Sequence, residues 1–400
     1  MKRFAPLSLW LQHYQLLWRT SPFVESAHSL PGWATQFSAL WAELQKLDTL
    51  QISEFKRNDE ALLDYLGSID PSLENYHQWV DVQLLDTDRV RPIDETVCVG
   101  MPGNKRIQIE RLIAQLPPAR QQESWVEWCA GKGYLGRGIA SLTGQRVTSL
   151  EWQPSLVKAG QSYSDSHSLD MQFYQQDVFD SDSTALHVHG HNHCVALHAC
   201  GDLHVELIRL ASQRLPKSVS IAPCCYHLIR GDHYVPMSSV GKDLDLTLDK
   251  SALRVPLQQT VTGGARVSRH RQQEMSFRLG FDELLRAELS FNEQTTVPSI
   301  KKSLLDEGFQ YFCKWAADKK SVELPRDVDF EHYLEKGTLR FWHMERLSLA
   351  QQLFQRPLEM WLALDKCLYL EEIGYEVKLT EFCSREVTPR NLLIQAEYPQ

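Results

Sequence analysis

Residues 220–229 read S-I-A-P-C-C-Y-H-L-I. An apolar run stops at Pro223, and two thiols, a phenol and an imidazole follow in consecutive positions. Such a set suits a metal site, a disulfide, a nucleophile or the shaped wall of a pocket. Zinc sites favour Cys or His two to four residues apart, so that both reach one ion. Adjacent Cys224 and Cys225 are expected to point in different directions, which makes them poor joint ligands. A second histidine-rich candidate, H-V-H-G-H-N-H-C, occupies 187–194. Cys225 and His227 have the types of a thiol nucleophile and its base, but nothing else in the chain suggests acyl transfer. A vicinal disulfide is opposed by a reducing compartment.

The more informative stretch is V-E-W-C-A-G-K-G-Y-L-G at 126–136. It reads as an apolar strand, a glycine-rich turn and a helix start. Glycines let backbone approach a ligand, and helix N–H groups point at it. Gly131, Gly133 and Gly136 fit G-x-G-x-x-G, which dinucleotide enzymes share. Three acids separate the alternatives. Glu127 lies inside the first strand, where it can bond the turn and face an ammonium group. Glu151 ends the second strand, where a ribose diol would bind. Asp177 follows the third, where an adenine amino group is readable. That set suits S-adenosylmethionine, which has a ribose, an amine and a sulfonium but no phosphates. Taken singly, Glu151 could instead cap the helix starting near Pro154, and Asp177 could be a turn residue.

Those residues need strands of one period and helices between them. Short apolar runs at 125–129, 146–151, 171–174, 194–198 and 218–222 alternate with helical stretches, notably 204–215. This pattern predicts a parallel α/β sheet. The histidine tract precedes the fourth strand, at the sheet edge opposite Cys224, so it reads as a surface cluster and no metal is expected. Residues 1–90 carry helical periodicity in Trp10, Tyr14, Leu17 and Trp18, and again in Phe37, Leu40, Trp41 and Leu44. Pro117-Pro118 ends a helix over 107–116. Residues 231–350 lose the alternation, with Gly263-Gly264 inside them, and read as a mostly helical insertion. Phe354, Leu358, Trp361, Leu364 and Leu368 share one helical face. A hairpin over 375–382 and 391–398 closes the chain.

The 400 residues are 43% hydrophobic and 10% aromatic, enough for a core, and this excludes a disordered chain. The net charge of −9 excludes a whole-protein positive field for nucleic acid, leaving only a local basic groove. The start, M-K-R-F-A-P-L-S-L-W-L-Q-H-Y, is interrupted by Gln12 and His13 and reads as no signal peptide. No run of about 18 uncharged apolar residues exists, so no membrane span is expected. Nine cysteines, with Cys98, Cys129, Cys194 and Cys200 inside apolar runs, indicate reduced thiols and a cytoplasmic location.

Several blocks in order carry a family resemblance. A-L-H-A-C-G-D-L (196–203), A-P-C-C-Y-H-L (222–228), L-D-K-C-L-Y-L-E-E-I-G (364–374) and V-T-P-R-N-L-L-I (387–394) resemble one group of class I methyltransferases. That group carries an "ACGDL…CCYH…SPRN" pattern. It includes the glutathione S-transferase C-terminal-domain-containing protein and, more distantly, tRNA 2′-O-methyltransferases. M-P-G-N-K-R-I-Q-I-E (101–110) resembles the group's basic block, with Lys105-Arg106 where two lysines are usual. Val387-Thr388 stands where serine is commoner. The resemblance covers roughly 96–235 and 355–400. It implies a Rossmann-like, seven-strand class I methyltransferase sheet of the α/β class that uses S-adenosylmethionine. A helical N-terminal domain (1–95) and an insertion (236–352) would flank a methyltransferase domain at 96–235 and 353–400. The expected cofactor residues are Glu127, Cys129, Ala130, Gly131, Lys132 and Gly133, then Glu151, Trp152, Asp177, Val178 and His198.

Methyl transfer from a sulfonium is an in-line displacement, so the protein mainly holds acceptor and methyl together. An acceptor that loses a proton also needs a base. Ligand chemistry belongs at the carboxyl ends of parallel strands. His198 and Asp202 follow the fourth, and Tyr226 and His227 the fifth, so these four are the catalytic candidates. Asp202 or His227 is a reasonable base. Asp202 could equally cap the helix at 204–215, and His198 could be a core histidine. The acceptor wall is expected at Cys224, Cys225, Tyr226, His227, Arg390 and Asn391. The leading expectation is methyl transfer to a macromolecule, RNA (a tRNA among the options) or protein. Alternatives are a non-catalytic protein-binding module on the same scaffold, or an RNA-binding one using Lys301-Lys302, Lys319-Lys320 and residues 266–271. Intact Glu127, Gly131, Gly133, Glu151 and Asp177 count against decay.

Overall fold

The computed structural model describes residues 2–85, 90–118, 120, 122–258, 265–291 and 297–399. Gly263-Gly264 lies outside the described residues. Strands form where the apolar runs sit: β1 Ser124–Trp128, β2 Val147–Glu151, β3 Met171–Gln175, β4 Asn192–Ala196, β5 Ser218–Ile221, β6 Glu376–Glu381 and β7 Leu392–Glu397. They make one seven-stranded sheet in the order β3-β2-β1-β4-β5-β7-β6. The first five are parallel, and β7 runs antiparallel to both β5 and β6. This is the seven-strand class I methyltransferase sheet. The chain reverses direction from β1 between β2 and β4, so the carboxyl ends of β1 and β4 flank a switch point.

The central strands are buried on both faces, which explains their continuous apolar runs. The core under β1 and β2 combines Trp125, Ile139, Val147 and Phe173 with Ile109 and Leu112 of the helix Gly103–Gln115. That helix runs past the predicted stop by none of its residues, since Leu116 and Pro117 follow it directly. Helices Tyr134–Thr143, Pro154–Ser166 and Asp202–Arg214 follow β1, β2 and β4.

The chain divides into two compact units. The sheet unit comprises Met1–Gln12, His77–Leu257 and Arg356–Gln400. Within it, Phe4 stacks on Trp361 at 5.3 Å, and the Trp361 indole donates to Ser8 at 2.7 Å. The helical unit comprises His13–Tyr76 and Gln258–Gln355, so the helices between His13 and Tyr76 fall in one compact unit with most of the insertion. Its long helices, Ala265–Leu289 and Phe330–Gln352, approach closely at Gly337. A Cβ there would lie 2.3 Å from the Ser276 carbonyl oxygen, so only glycine fits. Among the described residues, no helix is long and apolar enough to cross a membrane.

Candidate functional site

The loop after β1 is shaped by backbone that turns left-handed three times, at Cys129 (φ 55°), Gly131 (φ 60°) and Gly133 (φ 71°). Glycine adopts this region without cost, whereas Cys129 is held there by its surroundings. Gly133 has a second reason: a Cβ would sit 2.4 Å from the Phe173 ring. The turn leaves the helix Tyr134–Thr143 aimed at the carboxyl end of the sheet.

Glu151, buried at the end of β2, fixes this turn. One carboxylate oxygen accepts from the Gly131 N–H at 2.8 Å and the other from the Gln153 N–H at 2.8 Å. Thus the carboxylate ties the glycine loop to Gln153, the N-cap residue of the helix Pro154–Ser166, whose own side chain makes no cap bond. Glu127 is buried beneath the turn, opposite Ser149 in the β1–β2 register. It accepts from the Ser149 hydroxyl at 2.8 Å and from the Gly136 N–H. A Cβ at Gly136 would lie 2.5 Å from its oxygen. Burial pushes the Glu127 pKa up to about 7, against those hydrogen bonds and the Lys105 ammonium. Asp177 accepts from the Phe179 N–H at 3.0 Å, a turn contact that orients it after β3. Val178 is buried beside it, while Trp152 and Lys132 are exposed. Ala130 is half-buried, its N–H donating to Leu150.

Lys105 and Arg106 part company. Arg106 pairs with Glu110 at 2.9 Å and donates to the Ile93 carbonyl, a structural contact. Lys105 lies over the Tyr134 ring at 5.3 Å and acts electrostatically on both Glu127 and His198. His198 keeps solvent contact just after β4. Desolvation by the surrounding chain and the Lys105 ammonium hold its pKa below the usual imidazole value.

The loops after β4 and β5 are fastened to each other. The Gly201 N–H donates to Cys224 O and the Asp202 N–H to Leu228 O, both at 3.0 Å. Asp202 is not the N-cap of the helix Asp202–Arg214; Gly201 is. The Asp202 carboxylate instead accepts from the Arg230 N–H at 2.7 Å, tying the far end of the second loop. Tyr226 is buried, and burial raises its pKa well above the ordinary phenol. Its hydroxyl, His204 Nε2, His227 Nδ1 and Asn391 Oδ1 have no hydrogen-bond partner among the described residues. Asn391 is fully buried and donates to Cys383 O at 2.8 Å. Arg390 is half-buried and acts electrostatically on Cys200, Cys225 and Tyr226.

Two sequence expectations are corrected. Cys224 and Cys225 do not point apart: their sulfurs and that of Cys200 all lie within 4.8 Å of one another. Cys225 here adopts a left-handed backbone, with a φ of 47°. The histidine tract is not wholly a surface loop either. His193 and Cys194 are buried in β4, and His193 contacts Ser218 at 2.7 Å and Glu123 at 3.0 Å. Residues 189 and 191 are exposed.

Two further residues carry no signal beyond their motif. Asp365 and Lys366 are fully buried in the helix Gln355–Glu372. Asp365 accepts from Tyr234, the Met237 N–H and both the N–H and hydroxyl of Ser238. Lys366 donates to Tyr234 and Leu362 O and lies over the Tyr226 ring at 5.5 Å. Burial brings its pKa down to about 8. A cavity of about 390 Å³ opens elsewhere, between Glu110, Ile113, Trp125 and Thr143. It sits at the amino ends of the strands, away from the carboxyl-end loops where this sheet type places chemistry.

A family model described as a methyltransferase domain matches residues 105–232. No curated protein matches the sequence. Among solved structures, the chain is similar to a Pyrococcus abyssi tRNA (uracil-54, C5)-methyltransferase bound to S-adenosyl-L-homocysteine. Identity is 16%, with 29% of this chain and 28% of that chain covered and a TM-score of 0.24. It is also similar to an rRNA methylase from Streptococcus thermophilus (12% identity, 30% and 71% covered, TM-score 0.23). A third is TYW2 of P. horikoshii in complex with MeSAdo (18%, 39% and 54%, TM-score 0.25). The chain thus spans under a third of the length of the first and about half of the third.

Proposed function

We propose that the chain transfers a methyl group from S-adenosylmethionine to a macromolecular acceptor, RNA or protein. The carrying observation is the trio of acids at three successive strand ends around a left-handed glycine turn, with Glu151 already bonded to Gly131 N–H. In this reading Glu151 meets the ribose hydroxyls, Asp177 and Val178 the adenine, and Glu127 and Lys105 the amino-acid end. Glu127 and Lys105 carry the opposite charges that an ammonium and a carboxylate require. Trp152, beside Glu151, offers an exposed face for the adenosine edge.

The acceptor would enter between the loops after β4 and β5, where Tyr226 and His227 each keep a polar atom without a hydrogen-bond partner among the described residues. Native proteins satisfy such atoms, so a group of them calls for a ligand. The cofactor supplies an activated methyl group; the chain positions the acceptor and excludes water. His198, solvent-accessible at the mouth, is placed to orient the acceptor or take its proton. Tyr226 and His227 line the pocket, and Asp202 holds its two loops together.

Calorimetry with S-adenosylhomocysteine tests the reading directly. Binding by the wild type and its loss in Glu151→Ala are expected. Absence of binding to both S-adenosylmethionine and S-adenosylhomocysteine would sink the proposal. Label from methyl-tritiated cofactor, followed into RNA or protein of a cell extract, then identifies the acceptor class.

A further inference from the structure

Three of the nine cysteines meet at one point. Cys200 follows β4, and Cys224 and Cys225 follow β5; their sulfurs lie within 4.8 Å of one another, with Cys200 and Cys224 at 3.4 Å. The backbone is built to bring them there. Cys200 and Cys224 face each other across a parallel bridge, and Gly201 permits it. Its φ is 57°, and a Cβ would lie 2.1 Å from Leu228 O. Cys225 adopts φ 47°, a left-handed conformation that costs a residue with a Cβ about 1–2 kcal/mol. A relaxed Cys225 would carry its sulfur away from its neighbour. Such strain points to a role for the position it creates.

We propose that Cys200, Cys224 and Cys225 form a three-thiolate site for one zinc ion, with its fourth position open beside the cofactor loop. Zinc–sulfur bonds of about 2.3 Å place tetrahedral thiolates about 3.8 Å apart, so the present spacing needs shifts under about 1 Å. All-sulfur donors exclude calcium and magnesium, which take oxygen. Binding converts three thiols to thiolates and releases three protons. The resulting centre has a net charge of −1, and the Arg390 guanidinium lies close enough to Cys200 and Cys225 to offset it. A disulfide between Cys200 and Cys224 would use two of the sulfurs and leave the turn at Cys225 without purpose. Three protein ligands plus one open position is the pattern of catalytic zinc. The open position suits a water or an acceptor atom. Cys129 of the cofactor loop is close enough to Cys200 to interact electrostatically. The assignment stands apart from the methyl-transfer reading, because its test reads metal.

The test uses the full chain, reduced and stripped of metal, then loaded with zinc alone and desalted. Elemental analysis should find one equivalent of zinc. Cobalt in its place should give the intense thiolate-to-metal charge-transfer band. Cys224→Ser and Cys225→Ser should each lose the metal, and Cys98→Ser should keep it. Should the serine variants fail to fold, alkylation of the wild type decides: zinc should block labelling of Cys200 and Cys225, the two half-buried members. Lack of retained zinc, or unchanged labelling, overturns the site. So does zinc that survives both serine changes but is lost when His187, His189 and His191 become alanine. A Cys200–Cys224 disulfide that forms at the same rate with and without zinc also overturns it.

Discussion

In the helical unit, buried Arg340 donates to Asp282, Glu283, Ser26 and the Phe23 carbonyl, so its charge is fully matched. Lys56, Glu345 and Arg271 form a second matched set. In the sheet unit, Tyr226, His204 and Asn391 are as deeply buried, yet each keeps a polar atom without a partner among the described residues. In the helical unit, Ser276 alone of the described residues does so. The first pattern locks helices into register. The second leaves hydrogen-bonding capacity at the carboxyl ends of β4 and β5, where a ligand can use it. Buried polarity is architecture in the helical unit, whereas the sheet unit holds both matched sets, such as Asp365 with Tyr234 and Ser238, and atoms without partners among the described residues.

The sharpest way to break this contrast is Arg340→Met. It removes four hydrogen bonds and the cation that Glu283 shares with Asp282, which keeps Arg286, so unfolding of the helical unit should lose about 3–5 kcal/mol. Chemical denaturation followed through the tryptophans of that unit measures it. A loss under about 1 kcal/mol would mean that the matched charges are not architectural.

Next in size is Glu151→Ala. It removes a charged acceptor from the Gly131 N–H and from the ribose, each such bond being worth about 1.5–3 kcal/mol. The dissociation constant for S-adenosylhomocysteine should rise roughly 10- to 150-fold. Equal affinity in the variant would place the cofactor elsewhere.

Glu127 gives a pH signature. Its folded pKa, near 7, exceeds its unfolded value near 4.5 because burial disfavours the ionised form. The protonated folded state is therefore favoured. Its contribution to stability is fully present below about pH 4.5 and is lost as pH rises through about 7. Cofactor binding has the opposite sign, since an ammonium prefers the carboxylate. Affinity should increase about tenfold between pH 6 and pH 8, and Glu127→Gln should flatten the curve. A pH-independent wild type would argue that Glu127 does not face the cofactor.

The contrast between units also explains what could be read from sequence. Each parallel strand is a local apolar run, so β1 to β5 and the acids at their ends were legible. Of the expected face of Phe354, Leu358, Trp361, Leu364 and Leu368, the middle three lie buried on the helix Gln355–Glu372, Leu368 is half-buried, and Phe354 is buried in the turn before it. Properties that depend on distant segments were not. The pairing of 13–76 with 258–355 leaves no periodic mark. The left-handed φ of Cys225 is not marked by its residue type, so adjacency alone suggested divergent sulfurs. His193 belongs to a tract that looks like surface, yet Trp125 stacks on it at 4.8 Å. Asp365 and Lys366 are charges on a helix, and only tertiary packing buries them.

The smallest expected effect concerns Asp202, and it distinguishes a clamp from a base. Its carboxylate accepts from the Arg230 N–H and so joins the loops after β4 and β5. Asparagine retains an acceptor oxygen of the same reach, whereas alanine removes it. For a clamp, Asp202→Asn should lose less activity than Asp202→Ala, and the alanine loss should fall mainly on the KM for acceptor. For a general base, asparagine is as ineffective as alanine, and both should lower kcat by about 10²–10⁴-fold. The bond to Arg230 favours the first outcome. Steady-state kinetics of the two variants, at fixed saturating cofactor and varied acceptor, separate them. Equal losses in kcat would return Asp202 to the chemistry and leave the two loops to be held by the Gly201 and Asp202 backbone bonds alone.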